Sequence, residues 1–181
     1  VGERPISLQL WSSDPEKMIE DAYKLNSYGP NVYVKIPIIN ESGESNVGPI
    51  MALANAGVKV NVTAIFTLCQ VIELYTQLKK EDIQTPMIVS VFAGRISDTA
   101  VDPKPIVHAV CQLFKDISSV QILWAGCKET LSIQHAIDVG CHLITIPDSI
   151  LDRIGRTGKD LGEFSKETVQ AFQKDGERLS L

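Results

Sequence analysis

The sequence lacks the features that define several classes of protein. None of its four cysteines stands in a CxxC pair, the usual spacing of a zinc site or a redox motif. A chain of 181 residues needs no disulfide framework, so we predict reduced thiols and a cytoplasmic protein. Cys69 and Cys111 fall in helical patterns, where we expect both to pack as small hydrophobes.

Membrane, secretory and nucleic-acid signals are also missing. No stretch approaches the ~20 apolar residues of a membrane span. The start, VGERPISLQL, has neither region of a signal peptide and no Met, so we expect the natural N-terminus to be missing. The net charge is −5 and there is no basic tract, which argues against a general binder of phosphate backbones. We therefore expect neither a membrane nor a nucleic acid as partner.

Six short apolar runs predict strands. The first five begin 26 to 34 residues apart, and the sixth begins 21 residues after the fifth. Helical patterns fill the intervals. The first opens with Asp14 as N-cap and Pro15 at the first helical position, and the second ends at Gly57. The runs are ISLQL (6–10), VYVKI (32–36), VNVTAI (60–65), MIVSVF (87–92), QILWA (121–125) and HLITI (142–146).

This alternation predicts an α/β fold with a parallel sheet covered by helices. Two architectures fit, a doubly wound open sheet and a (β/α)8 TIM barrel. No glycine-rich fingerprint follows a strand, which disfavours the nucleotide-binding form of the first. A barrel needs eight strands and six are visible, so either two N-terminal units are missing or the fold is open. We predict one partial barrel domain over 1–181, closing with an amphipathic helix at about 163–179.

One lysine interrupts an apolar strand. In VYVKIP, Lys35 shares a face with Tyr33 and Pro37, while Val34 and Ile36 point the other way. If the two aliphatic residues pack on helices, Lys35 points into the interior. Burial disfavours the ammonium form, and a neutral amine on a rigid strand can attack a carbonyl and form a Schiff base. The alternative is an edge or end-of-strand lysine that reaches water.

Other polar residues interrupt the strands near their carboxyl ends, where barrel sites lie. They are Gln9, Thr63 and Ser90, and each could point inward. Thr63 alone fits an ordinary strand former, and Gln9 an edge-strand residue. Arg95 is expected in a loop just after the fourth strand, where it could hold a phosphate or instead pair with Asp98 at the surface.

Five segments, in this order and spacing, resemble the transaldolase family, most closely the short branch that includes fructose-6-phosphate aldolases. They are VYVKIP, NVTAIFTLCQ, VSVFAGRISD, ILWAGCKE and GCHLITIP. The resemblance extends over essentially the whole chain. It implies a (β/α)8 barrel of class I aldolase type that needs no metal or organic cofactor.

The resemblance also implies a set of site residues. Lys35 matches the Schiff-base lysine on strand four of the family's barrel. Thr63 and Gln9 match positions that hold the catalytic water. Arg95 matches the arginine that binds the substrate phosphate, and Ser90 lies at a nearby substrate-contacting position.

Four further features qualify this match. Phe92 is typical of members that transfer a dihydroxyacetone unit, whereas fructose-6-phosphate aldolases carry Tyr there; Gln9 leans towards the aldolases. Gly126 replaces the family's serine after strand seven, and Lys128 takes the place of a basic residue sometimes found there. The family's strand-one aspartate and its TTNP-like segment have no counterpart in this chain.

The resemblance therefore implies a transaldolase acting on sugar phosphates in carbohydrate metabolism, such as the pentose phosphate pathway. Two alternatives stay open at this point. One is aldol cleavage of the fructose-6-phosphate type, and the other is a non-catalytic relative that binds a sugar phosphate or serves in assembly. A barrel without two strands exposes two sheet edges, so we expect either a longer natural chain or subunits that cover those edges, as in a homo-oligomer.

Overall fold

The computed structural model describes residues 2–179 as alternating strands and helices. The strands are β1 (Ile6–Gln9), β2 (Val32–Pro37), β3 (Val60–Ile65), β4 (Met87–Val91), β5 (Val120–Trp124) and β6 (Leu143–Ile144). The helices are α1 (Pro15–Asn26), α2 (Val47–Asn55), α3 (Leu68–Glu81), α4 (Ala93–Ser97), α5 (Lys104–Phe114), α6 (Leu131–Asp138), α7 (Asp148–Leu151) and α8 (Leu161–Arg178), with a 3₁₀ turn at Ile154–Arg156.

The order of the strands in the sheet distinguishes the two architectures that fit the sequence. All neighbouring strands are parallel, and their order in space is the order in the chain, β1 to β6. A doubly wound sheet reverses its strand order at a switch point, and this sheet does not. The described residues thus form a half-barrel, with β1 and β6 at its two edges.

The two faces of the sheet have different chemistry. One face carries the main apolar core, in which Val34, Ile36, Val60 and Val62 are fully buried beneath the helices. The inner face carries a smaller apolar cluster, formed by Ile88, Leu123 and Ala125 with Tyr33, Phe92 and Leu143 packed against it. Strand alternation produces this division, because successive side chains point to opposite faces.

The helix boundaries that the sequence predicted are confirmed at two points. The Asp14 side chain accepts a hydrogen bond from the backbone N–H of Lys17, and Pro15 opens α1. Gly57 follows the end of α2 with φ +81°, a conformation that glycine adopts without steric cost. Asp14 and Pro15 thus mark where α1 begins, and Gly57 marks where the chain leaves α2 for the next strand.

The last strand is shorter than expected. Regular strand geometry covers only Leu143–Ile144, although the pairing with β5 extends on both sides. The His142 N–H donates to the Ile122 carbonyl at 2.9 Å, and the Thr145 N–H donates to the Trp124 carbonyl at 3.1 Å. The His142 ring Nδ1 accepts from the Ile122 N–H at 3.0 Å, so a side chain replaces one rung of the ladder.

Two other expectations concern helical faces. Cys69 was expected in the core, but it is exposed, because Val71, Leu74 and Leu78 form the buried face of α3. Helix α8 begins two residues earlier than predicted, and none of its side chains is buried. Within residues 2–179, no helix is both long and apolar enough to cross a membrane.

Candidate active site

A cleft of about 600 Å³ opens on the inner face of the half-barrel. Its walls come from β1 to β5 and from the segments that follow β4, β5 and β6. Six of the residues singled out from the sequence line it together. They are Lys35, Ser90, Phe92, Arg95, Gly126 and Lys128, and they are joined by Pro5, Ile6, Ser7, Asn61, Leu123, Ala125 and Thr145.

Lys35 lies in the middle of β2, between β1 and β3, so it is not an edge lysine. Its neighbours Val34 and Ile36 are fully buried on the helix side, which turns Lys35 towards the cleft. The side chain is half-buried, and its Nζ lies 5.9 Å from the centre of the Phe92 ring. The amine is therefore fixed by a rigid strand and accessible from the cleft.

Two cationic groups of the cleft lie close to the Phe92 ring. The Arg95 guanidinium carbon lies 5.6 Å from the ring centre, and the Phe66 ring packs against it at 5.7 Å. Cations favour the negative face of an aromatic ring. The amine of Lys35 and the guanidinium of Arg95 thus both lie within 6 Å of the centre of the Phe92 ring.

Arg95 does not lie in a loop, as the sequence suggested, but in the short helix α4 that directly follows β4. The alternative pairing with Asp98 is not formed. Asp98 instead pairs with Lys128, with 3.1 Å between Oδ2 and Nζ. This leaves the exposed Arg95 guanidinium facing the cleft beside Phe92.

A polar chain crosses the inner face, and two of its members were missed from the sequence. The Ser90 hydroxyl donates to Asn61 Oδ1 at 2.7 Å, and Asn61 Nδ2 donates to Ser7 Oγ at 2.8 Å. The second bond passes over β2, because the curvature of the sheet brings the inner faces of β1 and β3 together. Period-two spacing would have identified both residues, Asn61 from Thr63 and Ser7 from Gln9.

Gln9 and Thr63, the expected water-holding residues, are not among the described residues that line the cleft. Gln9 Nε2 donates to the backbone carbonyls of Leu10 at 2.9 Å and Lys35 at 3.2 Å, which ties it to the strand of the lysine. The Thr63 hydroxyl is buried and has no hydrogen-bond partner within the described part of the chain. Such a group normally finds a partner, often water.

A bulge in β3 sets the direction of Thr63. Ala64 has φ +58°, and the register with β4 shifts between Val62 and Ile65. The extra residue lets Thr63 stay on the inner face while Ile65 returns to the helix-side core, where it is fully buried. Backbone strain of this kind is concentrated at functional sites.

The loop after β5 depends on a close backbone contact. Gly94 donates its N–H to the Ala125 carbonyl at 3.1 Å, and a Cβ at Gly94 would lie 1.6 Å from the Gly126 carbonyl oxygen. Gly126 itself has φ +75°, a conformation that disfavours serine at this position. The Gly126 N–H also points at the Thr145 hydroxyl, 3.4 Å away.

The cleft is positively charged in an acidic chain. Its charged lining residues are Lys35, Arg95 and Lys128, and no Asp or Glu is among the lining residues that the structure describes. The whole chain has net charge −5. Cations converging on a low-dielectric wall concentrate anions there.

Deeper on the same face, burial raises the pKa of Tyr33.

No group of three or more His, Cys, Asp or Glu side chains within residues 2–179 is arranged to hold a metal ion. The polar groups of the cleft are instead one amine, one guanidinium, one further ammonium and a chain of hydroxyl and amide groups. This set fits an anionic, hydroxyl-rich ligand with a carbonyl that an amine can reach.

The fold and the site define the class of this protein, which is an α/β half-barrel with a cleft-lining lysine on an internal strand. Comparison with known sequences identifies the family. The sequence profile described as Transaldolase/Fructose-6-phosphate aldolase matches residues 2–181. The chain therefore belongs to the transaldolase/fructose-6-phosphate aldolase family.

Individual relatives agree with this assignment. A probable transaldolase of Desulforamulus reducens is 30% identical over 181 residues, covering 99% of this chain and 76% of the relative. One of Syntrophobacter fumaroxidans is 27% identical over 179 residues, covering 98% and 73%. Probable transaldolase 2 of Listeria monocytogenes is 27% identical over 180 residues, covering 97% and 78%.

A solved structure supports the fold alone. A mandelate oxidase mutant carrying an FMN adduct superimposes with a TM-score of 0.54 at 16% sequence identity. The match covers 80% of this chain and 48% of that one. The parallel strand-and-helix arrangement is thus shared with a part of a larger chain.

Proposed function

We propose that this chain carries transaldolase chemistry, the transfer of a dihydroxyacetone unit between sugar phosphates through a Schiff base on Lys35. The observation that carries the proposal is the position of the amine. It is half-buried on the inner face, within a cleft whose other charged lining groups are cations, in a chain of the aldolase family.

The reaction begins when the Lys35 amine attacks the ketone of a ketose phosphate and the carbinolamine loses water. The C4 hydroxyl then gives its proton to water as the C3–C4 bond breaks, and the protonated imine accepts the electron pair of that bond. This releases an aldose phosphate and leaves an enamine on the lysine. The enamine then attacks the aldehyde of an acceptor, and water hydrolyses the new imine. The Thr63 hydroxyl, which has no hydrogen-bond partner among the described residues, would hold the water at this point, and Gln9 is assigned the same role by resemblance to the family. Such acid–base help contributes ~10²–10⁴ in rate.

The same proposal assigns substrate recognition to the other residues that line the cleft. Arg95 and Lys128 would hold the phosphate, which suits a guanidinium and an ammonium. Phe92 would lie along the carbon chain between the phosphate and the amine. Ser90, which donates a hydrogen bond to Asn61 at one end of the polar chain, would contact the sugar hydroxyls.

Aldol cleavage is the alternative within the same chemistry. It differs only at the last stage, where a proton instead of an aldehyde captures the enamine. Phe92 favours transfer by resemblance and Gln9 favours cleavage. With fructose 6-phosphate alone, cleavage releases glyceraldehyde 3-phosphate over many turnovers. A transferase releases about one equivalent per site until erythrose 4-phosphate is added as acceptor.

A non-catalytic sugar-phosphate binder is the second candidate function. It is favoured by the lining of the cleft, in which the described residues include no carboxylate that could act as the acid–base group. On this hypothesis the cations bind the phosphate and the amine forms no lasting adduct. Binding without any covalent product would support it.

The assembly proposals follow from the edges of the sheet and from α8. We propose that the half-barrel belongs to a (β/α)8 barrel, and that the protein works as a homo-oligomer in the cytoplasm. Phe172 and Leu179 on or beside α8 are 67% and 69% exposed, an apolar surface that a second copy could cover. The oligomeric state is measured by sedimentation of the wild-type chain and of Phe172→Ser.

Borohydride trapping tests the catalytic proposal. The chain is incubated with fructose 6-phosphate, reduced, and digested with trypsin. Modified Lys35 resists cleavage, so residues 25–59 should appear as one peptide carrying a reduced three-carbon unit. Lys35→Met should abolish the adduct. Lys59→Met is the matched control, because Lys59 lies at the amino end of β3 and donates to the Pro30 carbonyl at 2.7 Å.

The outcomes separate the hypotheses. An adduct on residues 25–59 that depends on Lys35 supports the Schiff base. An adduct spread over surface lysines, or one that survives in Lys35→Met, contradicts it. Phosphate-dependent binding of the sugar with no adduct at all favours the non-catalytic binder.

A further inference from the structure

Thr145 lines the cleft but has no part in the reaction described above. It directly follows the edge strand β6, and its N–H donates to the Trp124 carbonyl of β5 at 3.1 Å. This bond continues the ladder one residue beyond β6 and fixes the backbone of Thr145 beside the end of β5. Thr145 is exposed and lines the cleft together with Gly126. The edge of the sheet therefore contributes a hydroxyl to the cleft.

Two contacts join the ends of β4, β5 and β6 at one corner of the cleft. The Gly94 N–H donates to the Ala125 carbonyl at 3.1 Å, which ties the start of α4 to the segment after β5. The Gly126 N–H lies 3.4 Å from Thr145 Oγ1, which ties that segment to the end of β6. The residues of this β4–β6 corner that line the cleft are Arg95, Gly126, Lys128 and Thr145.

The hydrogen-bonding capacity of the corner is only partly used. A hydroxyl can accept two hydrogen bonds and donate one. Within residues 2–179, the Thr145 hydroxyl accepts from the Gly126 N–H and donates to no protein group. The 3.4 Å separation is also longer than the usual N–H···O length of about 2.9–3.0 Å. Both the Thr145 hydroxyl and the Gly126 N–H can therefore donate to an oxygen atom of a ligand.

The segment after β5 is poorly suited to supply a hydroxyl of its own at Gly126. The φ of Gly126 is +75°, a conformation that disfavours any residue with a Cβ. The segment thus offers its backbone N–H at this position, and the neighbouring hydroxyl comes from the next strand. Thr145 and Gly126 together form a pair of neutral donors.

We propose that Thr145 is a phosphate-binding residue, whose hydroxyl donates to a phosphate oxygen beside the Gly126 N–H. The inference rests on the proposed function, because it takes the ligand to be a sugar phosphate. A terminal phosphate has three acceptor oxygens, more than the Arg95 guanidinium fills with a paired contact. Lys128 Nζ lies 3.1 Å from Asp98 Oδ2, so part of its charge is already neutralised. The two neutral donors complete the set.

This role makes Thr145 a specificity residue for the phosphate end of the substrate. The ketone is bound at Lys35, on β2, whereas Thr145 follows β6 at the other edge of the sheet. Loss of the Thr145 hydroxyl should therefore weaken the binding of phosphorylated ligands only. A ketone without phosphate should react with Lys35 as before.

The affinity test uses the Lys35→Met chain, in which no covalent step can occur, so it is independent of the Schiff base. Calorimetry measures the binding of fructose 6-phosphate and of inorganic phosphate. Adding Thr145→Val, which keeps the shape and removes the hydroxyl, should weaken both by about tenfold. Thr145→Ser keeps the hydroxyl and should stay within about threefold. Thr168→Val is the matched control and should change neither, because Thr168 donates to the Phe164 carbonyl within α8.

Borohydride trapping of dihydroxyacetone, which has no phosphate, separates a lost contact from a distorted cleft. In the chain with Lys35 intact, Thr145→Val should form this adduct at the normal yield. If no ketone forms an adduct with the wild-type chain, the Schiff base fails, and the affinities still decide the role of Thr145.

Three results would overturn the proposal. The first is equal affinity for fructose 6-phosphate with and without Thr145→Val. The second is a loss in Thr145→Ser as large as that in Thr145→Val, and the third is a lower yield of the dihydroxyacetone adduct in Thr145→Val. Since Thr145 is exposed, both of its variants should stay folded, as circular dichroism can verify.

Discussion

The contact between Gly94 and Gly126 allows a sharp test of how the cleft is built. A Cβ on Gly94 would lie 1.6 Å from the carbonyl oxygen of Gly126 and 2.7 Å from its carbonyl carbon. Non-bonded carbon atoms prefer separations of about 3.5–4.0 Å. Gly94→Ala must therefore push two backbone segments apart by about 1.5–2 Å, since no flexible side chain can move instead.

The energetic cost has two parts. Overpacking of a well-filled site costs about 1–3 kcal/mol. Separation of the segments also stretches the bond from the Gly94 N–H to the Ala125 carbonyl, now 3.1 Å, and an unsatisfied buried donor costs about 1–3 kcal/mol. We expect the free energy of unfolding to fall by about 2–5 kcal/mol, and the melting temperature by roughly 5–15 °C for a domain of this size.

Thermal unfolding followed by circular dichroism measures the effect, and Gly176→Ala is the matched control. Gly176 lies inside α8 with nothing within 4 Å of an added Cβ, so alanine should stabilise that helix by about 0.5–1 kcal/mol. A Gly94→Ala protein that melts within about 2 °C of wild type would refute the reasoning. In the folded variant, displacement of Gly126 should also reduce sugar-phosphate binding, because Gly126 lines the cleft.

Three further predictions follow from single groups. Burial raises the pKa of Tyr33 above 10.0, so its contribution to stability is present below about pH 10 and lost as the pH rises further; Tyr33→Phe should flatten that loss in urea titrations at successive pH values. Ala64 has φ +58°, so Ala64→Val should lower the free energy of unfolding by about 2 kcal/mol or more, while Ala64→Gly should change it by under about 1 kcal/mol in the same denaturation assay. Asp98→Asn should release Lys128 towards the cleft and tighten sugar-phosphate binding by up to about fivefold in calorimetry, since an exposed ion pair is worth about 0–1 kcal/mol.

The sequence predicted the fold where local rules govern the chain. Strand alternation placed Val34 and Ile36 on one face and Lys35 on the other, and the capping residues Asp14 and Gly57 fixed where helices begin and end. These features depend only on neighbours within one turn or one strand. The half-barrel then follows from strands that pair in chain order.

The sequence could not predict features that depend on distant contacts. The bond between Asn61 and Ser7 exists only because the sheet curves across β2, and the approach of Gly94 to Gly126 joins two loops that local patterns do not connect. Arg95 was expected in a loop because five residues are too few for a helical pattern to be recognised. These contacts shape the cleft, so the site was less predictable than the sheet that carries it.

The two faces of β2 offer a way to separate stability from chemistry at adjacent positions. Ile36 is fully buried on the helix side, so Ile36→Ala should lower the free energy of unfolding by about 2–5 kcal/mol. Lys35→Met keeps the apolar stem and removes only the amine, so its free energy of unfolding should stay within about 1 kcal/mol of wild type.

Borohydride trapping at a temperature where both variants are folded should give the opposite ranking. Ile36→Ala should form the sugar adduct at a normal yield, and Lys35→Met should form none. The reason is geometric, because successive strand residues project to opposite sides of the sheet, one into the core and one into the cleft. If stability and adduct yield instead fell together in both variants, the amine would be part of the core, and its proposed role as nucleophile would have to be abandoned.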